Sequence, residues 1–134
     1  MKNNLDSNGY APSIVQHDYG THTCYLTGRT GSPDSPDLGS KLDRHECFGG
    51  PLRAWSKHEG LWVYLLHNVH MKLHQHDYEA ELKLKKDAQR AYERTHSREE
   101  FMQYTRKNYL GDEPEHQPKA VMEPYDISKD KLPF

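Results

Sequence analysis

Apolar positions in this chain gather toward its middle and change period along it. The run Leu61-Trp62-Val63-Tyr64-Leu65-Leu66, set off by Gly60, is continuous rather than alternating. Its length and its aromatic and branched content predict a buried strand. Thr23-Cys24-Tyr25-Leu26-Thr27 reads as a shorter strand that stops at Gly28, and residues 42–48 as another that stops at Gly49-Gly50-Pro51. Between these two, residues 28–39 are rich in Gly, Ser, Pro and Asp and sustain neither helix nor ladder. The simplest pairing is therefore a hairpin of 23–27 with 42–48 around an enlarged loop. Leu52, Arg53, Trp55 and Ser56 fall in a short irregular piece.

After Asp77 the period becomes helical. Tyr78 with Leu82, and Leu84 with Ala88, Ala91 and Tyr92, fall at helical spacing while Lys and Glu fill the other side, so a helix capped by Asp77 is expected over residues 78–95. Ser97-Arg98-Glu99-Glu100 is a capping-box pattern that opens a second helix, carrying Phe101, Tyr104 and Thr105 and ending at Gly111. Residues 1–13 are expected to form a flexible N-terminal arm and residues 14–111 one α+β domain. Residues 112–134, with Pro114, Pro118, Pro124 and Pro133 among charges, are expected to form an extended or disordered tail.

Composition narrows the picture. With 134 residues the chain has room for one core, and a hydrophobic fraction of 34% with a mean hydropathy of −1.08 makes that core small. Small cores commonly draw on a metal or a partner. A formal net charge of −2 gives no overall attraction to nucleic acid, so any such surface must be a local basic patch. Cys24 and Cys47 are too few for a disulfide framework, and no CxxC pair exists to build a zinc knuckle. The N-terminus lacks the pattern of a secretion signal and no apolar run reaches membrane-span length, so a cytoplasmic protein is expected.

Candidate chemistry lies in the histidines, of which there are ten. His17, His22, His58, His96 and His116 have no partner at ligand spacing and read as solvent-facing or capping residues. His67, His70, His74 and His76 crowd the end of the apolar run. His70 and His74, four apart, share a face if the backbone is helical, and in a tight loop they can still chelate one ion. The adjacent pair His45-Glu46 sits near a strand end. There, as pleating relaxes, one side chain can reach a metal while its neighbour addresses a water. That division of labour suits phosphodiester hydrolysis, in which a cation stabilises developing charge and a base deprotonates water. The bland alternative makes Glu46 a surface residue paired with Arg44 or Arg53, and His45 a half-buried one.

An ordered series of motifs then resembles a family. Leu42-Asp43-Arg44-His45-Glu46-Cys47-Phe48-Gly49-Gly50, Arg53, Ser56, Gly60-Leu61 and Val63-Tyr64-Leu65 begin it. His70, Leu73-His74-Gln75, Leu84, Ala88-Gln89, Glu93, residues 97–101 and Asn108-Tyr109-Leu110 complete it. Together, over about residues 24–110, they resemble the phage and prophage branch of the HNH (His-Me finger, ββα-metal) endonucleases. The resemblance implies a small ββα-metal core, a hairpin plus a helix, with an additional C-terminal helix, one divalent ion (Mg²⁺, Mn²⁺, Ni²⁺ or Zn²⁺) and DNA as substrate in a bacterial host cell. It implies His45 and Glu46 as the catalytic pair, His70 and His74 as metal ligands, and Arg53 and Ser56 as phosphate-binding or supporting residues. Where relatives carry two adjacent histidines this chain has His45-Glu46, so either residue can be the base and the other the ligand. Asn68 is the nearest counterpart of the family's central asparagine, and it comes late. The second expectation is a catalytically degenerate HNH-fold module that binds DNA or metal. A third, from another class, is an interaction protein of phage origin that cuts nothing.

Overall fold

The structure, a computed structural model, describes residues 5–17, 22–75 and 77–115. It is a mixed α/β fold. Strands β1 (Leu42–Glu46) and β2 (Trp62–Leu66) form an antiparallel pair, and four α-helices are present among the described residues: α1 (Arg53–His58), α2 (His67–His74), α3 (Tyr78–Tyr92) and α4 (Arg98–Thr105). None of these helices is long and apolar enough to cross a membrane.

The buried strand over residues 61–66 is observed as β2, and all five of its residues are buried. Its partner corrects the pairing expected from sequence: β1 pairs with β2, with His45 opposite Val63 and Leu42 opposite Leu66. Residues 23–27 do not form a strand. Gly28 adopts φ +76° and its amide bonds the Cys24 carbonyl at 2.7 Å, so the segment folds back on itself, leaving a single bridge between Thr23 and Thr30. A strand apolar on every residue must be covered on both faces, and the shorter, turn-prone segment cannot supply a ladder for it. Instead, the backbone groups of β2 that β1 does not use are satisfied piecemeal. The Tyr25 amide donates to the Tyr64 carbonyl at 2.8 Å, Gln16 Oε1 accepts from the Tyr64 amide at 2.8 Å, and Ser13 Oγ donates to the Trp62 carbonyl at 2.6 Å. Such coverage blunts an edge that would otherwise invite pairing with another chain.

The connection between the strands holds α1, where only irregular backbone was expected, preceded by a 3-10 turn at Gly50–Leu52. Ser56 closes it: fully buried, its hydroxyl donates to the Leu61 carbonyl at 2.7 Å and accepts from the Phe48 amide at 3.4 Å. The N-terminal segment crosses this connection at Gly60, which has φ +74° and where a Cβ would meet the Pro12 carbonyl at 2.2 Å. Ile14 and Ala11 add backbone bonds to Gly60 and Lys57, at 2.9 and 3.0 Å. Against the expectation of an arm over residues 1–13 on which little depends, Tyr10 and Ala11 are buried.

Both helix starts read from sequence are present. Asp77 Oδ1 accepts from the Ala80 amide at 3.2 Å and Ser97 Oγ from the Glu100 amide at 3.0 Å. α4 ends at Thr105, however, not at Gly111: Arg106 takes the left-handed conformation (φ 63°) and its amide bonds the Met102 carbonyl. The chain beyond it is spent on tertiary contacts. Asn108 accepts from Gln89 at 2.9 Å, and Tyr109 joins the aromatic group of Phe48, Phe101, Trp55 and Tyr92 that forms the base of the core. Below it Glu93, buried completely, is paired by Arg98 at 2.8 Å and by Gln89 at 2.8 Å. Of the tail expected from residue 112, Glu113 bonds Arg90 through both carboxylate oxygens, at 2.7 and 2.9 Å; residues 116–134 lie outside the described residues. Cys24 and Cys47 are buried free thiols.

Candidate metal centre

The two-residue period of a strand puts Asp43 and His45 of β1 on one face, and the register carries that face toward the helix that leaves the end of β2. On α2, His70 and His74 are four apart and therefore stacked on one side. The result is a group of three imidazoles, from His45, His70 and His74, each offering a nitrogen within 4.8 Å of the others. Nε2 of His70 and Nε2 of His74 are 3.1 Å apart. Ligands at zinc–nitrogen distances of about 2.0–2.1 Å in tetrahedral geometry stand roughly 3.4 Å from one another, so His70 and His74 already stand near the spacing one ion requires, with His45 within 4.8 Å of both. Three histidines leave a coordination position for water or substrate, the pattern of catalytic rather than structural sites.

Asp43 supports the group. Its Oδ2 lies 3.0 Å from His70 Nδ1 and 2.9 Å from His67 Nδ1. Burial opposes ionisation of this carboxyl, but the hydrogen bonds from His70 and His67 outweigh it and hold Asp43 below its usual range. A carboxylate that accepts a hydrogen bond from Nδ1–H turns the Nε2 lone pair of His70 into the cluster, as supporting carboxylates do in metal sites. His45 is pushed down to about 4, first by burial and then by the charges of His70, His74 and Lys85, so near neutral pH it is the unprotonated imidazole that a metal requires. The residues present therefore fit a divalent ion.

Glu46, the other half of the expected pair, stands apart from the three imidazoles. One of its oxygens accepts from the Tyr10 hydroxyl, and the other lies 3.3 Å from Arg53 Nε. Burial, then the Glu46 carboxylate, pushes the Tyr10 phenol up to about 12, so it remains a donor. A cleft of about 340 Å³ nonetheless brings the parts together: His45, His70 and His74 line it with Glu46, Tyr10, Arg53, Glu81 and Lys85. Lys41, Arg44, Arg53 and Lys57 line the adjoining groove, which also reaches His70.

Of the residues singled out from sequence, His45, His70 and His74 meet, and Glu46 and Arg53 share their cleft. Ser56 does not: its hydroxyl is consumed inside the core, so its part is structural support and not phosphate contact. Asn68 is exposed on α2, and His76 lies outside the described residues. Among the helix lysines, Lys85 lines the cleft and pairs with Glu81 at 3.2 Å, whereas Lys83 pairs with Asp87 at 2.8 Å. Sequence reasoning overlooked Asp43, although its place two residues before His45 on a strand was a usable signal. Tyr10 carried none, being far away along the chain.

The chain matches no protein-family model, and no curated protein or solved structure shows significant similarity to it. What the fold and the site define is therefore a class by geometry alone: a small α/β protein with a three-histidine group, from a strand and a helix, that can hold a metal ion.

Proposed function

We propose that this protein is a metal-dependent DNA endonuclease of the HNH, ββα-metal type. The observation that carries the reading is the convergence of His45, from the first strand of a hairpin, with His70 and His74, from the helix that follows the second, in a cleft shared with Glu46. His45, His70 and His74 are the ligands in this reading, and a divalent ion bound there supplies Lewis-acid stabilisation of charge developing on the phosphate and leaving oxygen. Glu46 takes the role of general base and accepts a proton from the attacking water. Arg53, whose guanidinium suits two parallel bonds to a phosphate, holds the backbone beside the cleft with help from Lys85 and from Lys41, Arg44 and Lys57 in the adjoining groove.

The test is nicking of supercoiled plasmid by the purified protein with Mg²⁺, Mn²⁺, Ni²⁺ or Zn²⁺. His45→Ala and His70→Ala are each expected to abolish nicking while circular dichroism stays unchanged. One observation favours a second reading, a module that binds without cutting: both carboxylate oxygens of Glu46 already have a protein partner. Metal-dependent retardation of DNA in a gel, with no cleavage by any of the four ions, would select it.

A further inference from the structure

We infer that Tyr10 is a positioning residue for Glu46, and that the N-terminal segment is a strap whose folding delivers the phenol to the cleft. The inference rests on the nuclease reading and goes beyond it. Alternation along β1 would send the Glu46 side chain away from His45, so the strand alone does not aim its carboxylate. Two side chains do: the Tyr10 hydroxyl on Oε2, and Arg53 Nε at 3.3 Å from Oε1. Each carboxylate oxygen has two lone pairs, so one bond apiece fixes the plane of the group and leaves acceptor capacity for a water. The two restraints are unequal. The Arg53 side chain is 64% exposed, whereas Tyr10 is buried.

Tyr10 is in turn held from every side. Its amide donates to Asp6 Oδ1 at 2.9 Å and its carbonyl accepts from the Asp6 amide at 2.9 Å, closing a small loop. The other Asp6 oxygen takes Arg44 Nη1 at 2.7 Å, and the same Arg44 guanidinium lies over the Tyr10 ring at 4.4 Å. Lys57 Nζ approaches that ring at 4.7 Å, and Trp62 meets it edge-on at 5.5 Å. The next residue, Ala11, is pinned by Trp62 Nε1 at 2.8 Å. These contacts fix the ring and its backbone, and the one polar atom of the side chain, the hydroxyl, donates to Glu46. Orientation of a reacting group is worth large factors in rate, with misplacement by about 1 Å costing on the order of 100-fold.

The decisive variant is Tyr10→Phe, which keeps the ring, its cation contacts and the Trp62 edge. With plasmid DNA and the wild type's preferred cation, kcat is expected to fall roughly 10- to 100-fold while KM and the calorimetric affinity for that cation alone stay unchanged. In the metal-free protein, the side-chain carboxyl ¹³C resonance of Glu46 is expected to move in Tyr10→Phe while the amide spectrum elsewhere is preserved. A Tyr10→Phe protein with wild-type kcat and an unmoved Glu46 resonance overturns the inference alone. A wild type that nicks nothing with any of the four cations overturns the nuclease reading and this inference with it.

Discussion

Nδ1 of His70 lies 3.0 Å from Oδ2 of Asp43, across the junction between the helix and the first strand. A carboxylate can only accept, so that nitrogen carries the proton and the opposite nitrogen is the one turned toward His74. Asp43→Asn is accordingly expected to weaken binding of Zn²⁺ or Ni²⁺ about 10- to 100-fold, within the usual cost of losing such a supporting group. Isothermal titration calorimetry checks it, with His74→Ala as the variant expected to lose more. Equal affinity in Asp43→Asn and wild type would remove Asp43 from the site.

The depressed His45 makes a prediction about pH for the metal-free protein. Its folded value of about 4 lies below the unfolded value of about 6.5, so between these limits the unfolded chain takes up a proton that the folded chain refuses. Stability should therefore fall as pH drops through this window, by roughly 3 kcal/mol in all from this group, and stop changing on its account below about 4. Urea denaturation across the window, compared with His45→Gln, isolates the contribution. An unchanged pH profile in His45→Gln would refute it.

Glu93 is a carboxylate with no solvent exposure, and Arg98 Nε bonds it at 2.8 Å. Arg98→Ala removes the cation that faces this buried charge, although the Gln89 bond at 2.8 Å stays, and is expected to cost about 3–5 kcal/mol. The double variant Arg98→Met with Glu93→Leu should recover much of the loss, because an apolar pair avoids the desolvation that the ion pair must offset. Chemical denaturation of the three proteins decides; a single variant as stable as wild type counts against the assignment.

Two glycines in one connection should respond differently. Gly60→Ala meets both a left-handed backbone and the Pro12 carbonyl, so it should destabilise by at least about 1–2 kcal/mol and loosen the N-terminal segment. Gly49→Ala, with φ −96° and open space around its Cβ, should change stability by less than about 0.5 kcal/mol. Denaturation midpoints measure both, and limited proteolysis near residues 5–17 reads the loosening.

Local chemistry was legible in the order of the residues. Asp77 and Ser97 announced their helices because a cap acts on an amide three positions away, and the apolar run of 61–66 announced a buried strand because nothing in it tolerates water. The i, i+4 pairing of His70 and His74 was legible for the same reason once the backbone there proved helical. The partner of β1 was not. Ladder pairing is settled by which segment most needs covering, and Gly28 spends the Tyr25 segment on a turn. The end of α4 was likewise misplaced, because Arg106 leaves the helix so that Asn108 and Tyr109 can reach Gln89.

The residue types needed for a metal-binding group, and their separation into a strand and a helix, were set by composition and short-range spacing, since those depend on neighbours along the chain. That His45 of β1 joins His70 and His74 of α2 and not His67, that Asp43 stands behind them, and that Glu46 is aimed by Tyr10 and not by its own strand, were decided only by folding. Each of these contacts joins distant segments, and long-range contacts are chosen by the burial of the whole core, a quantity no local stretch contains.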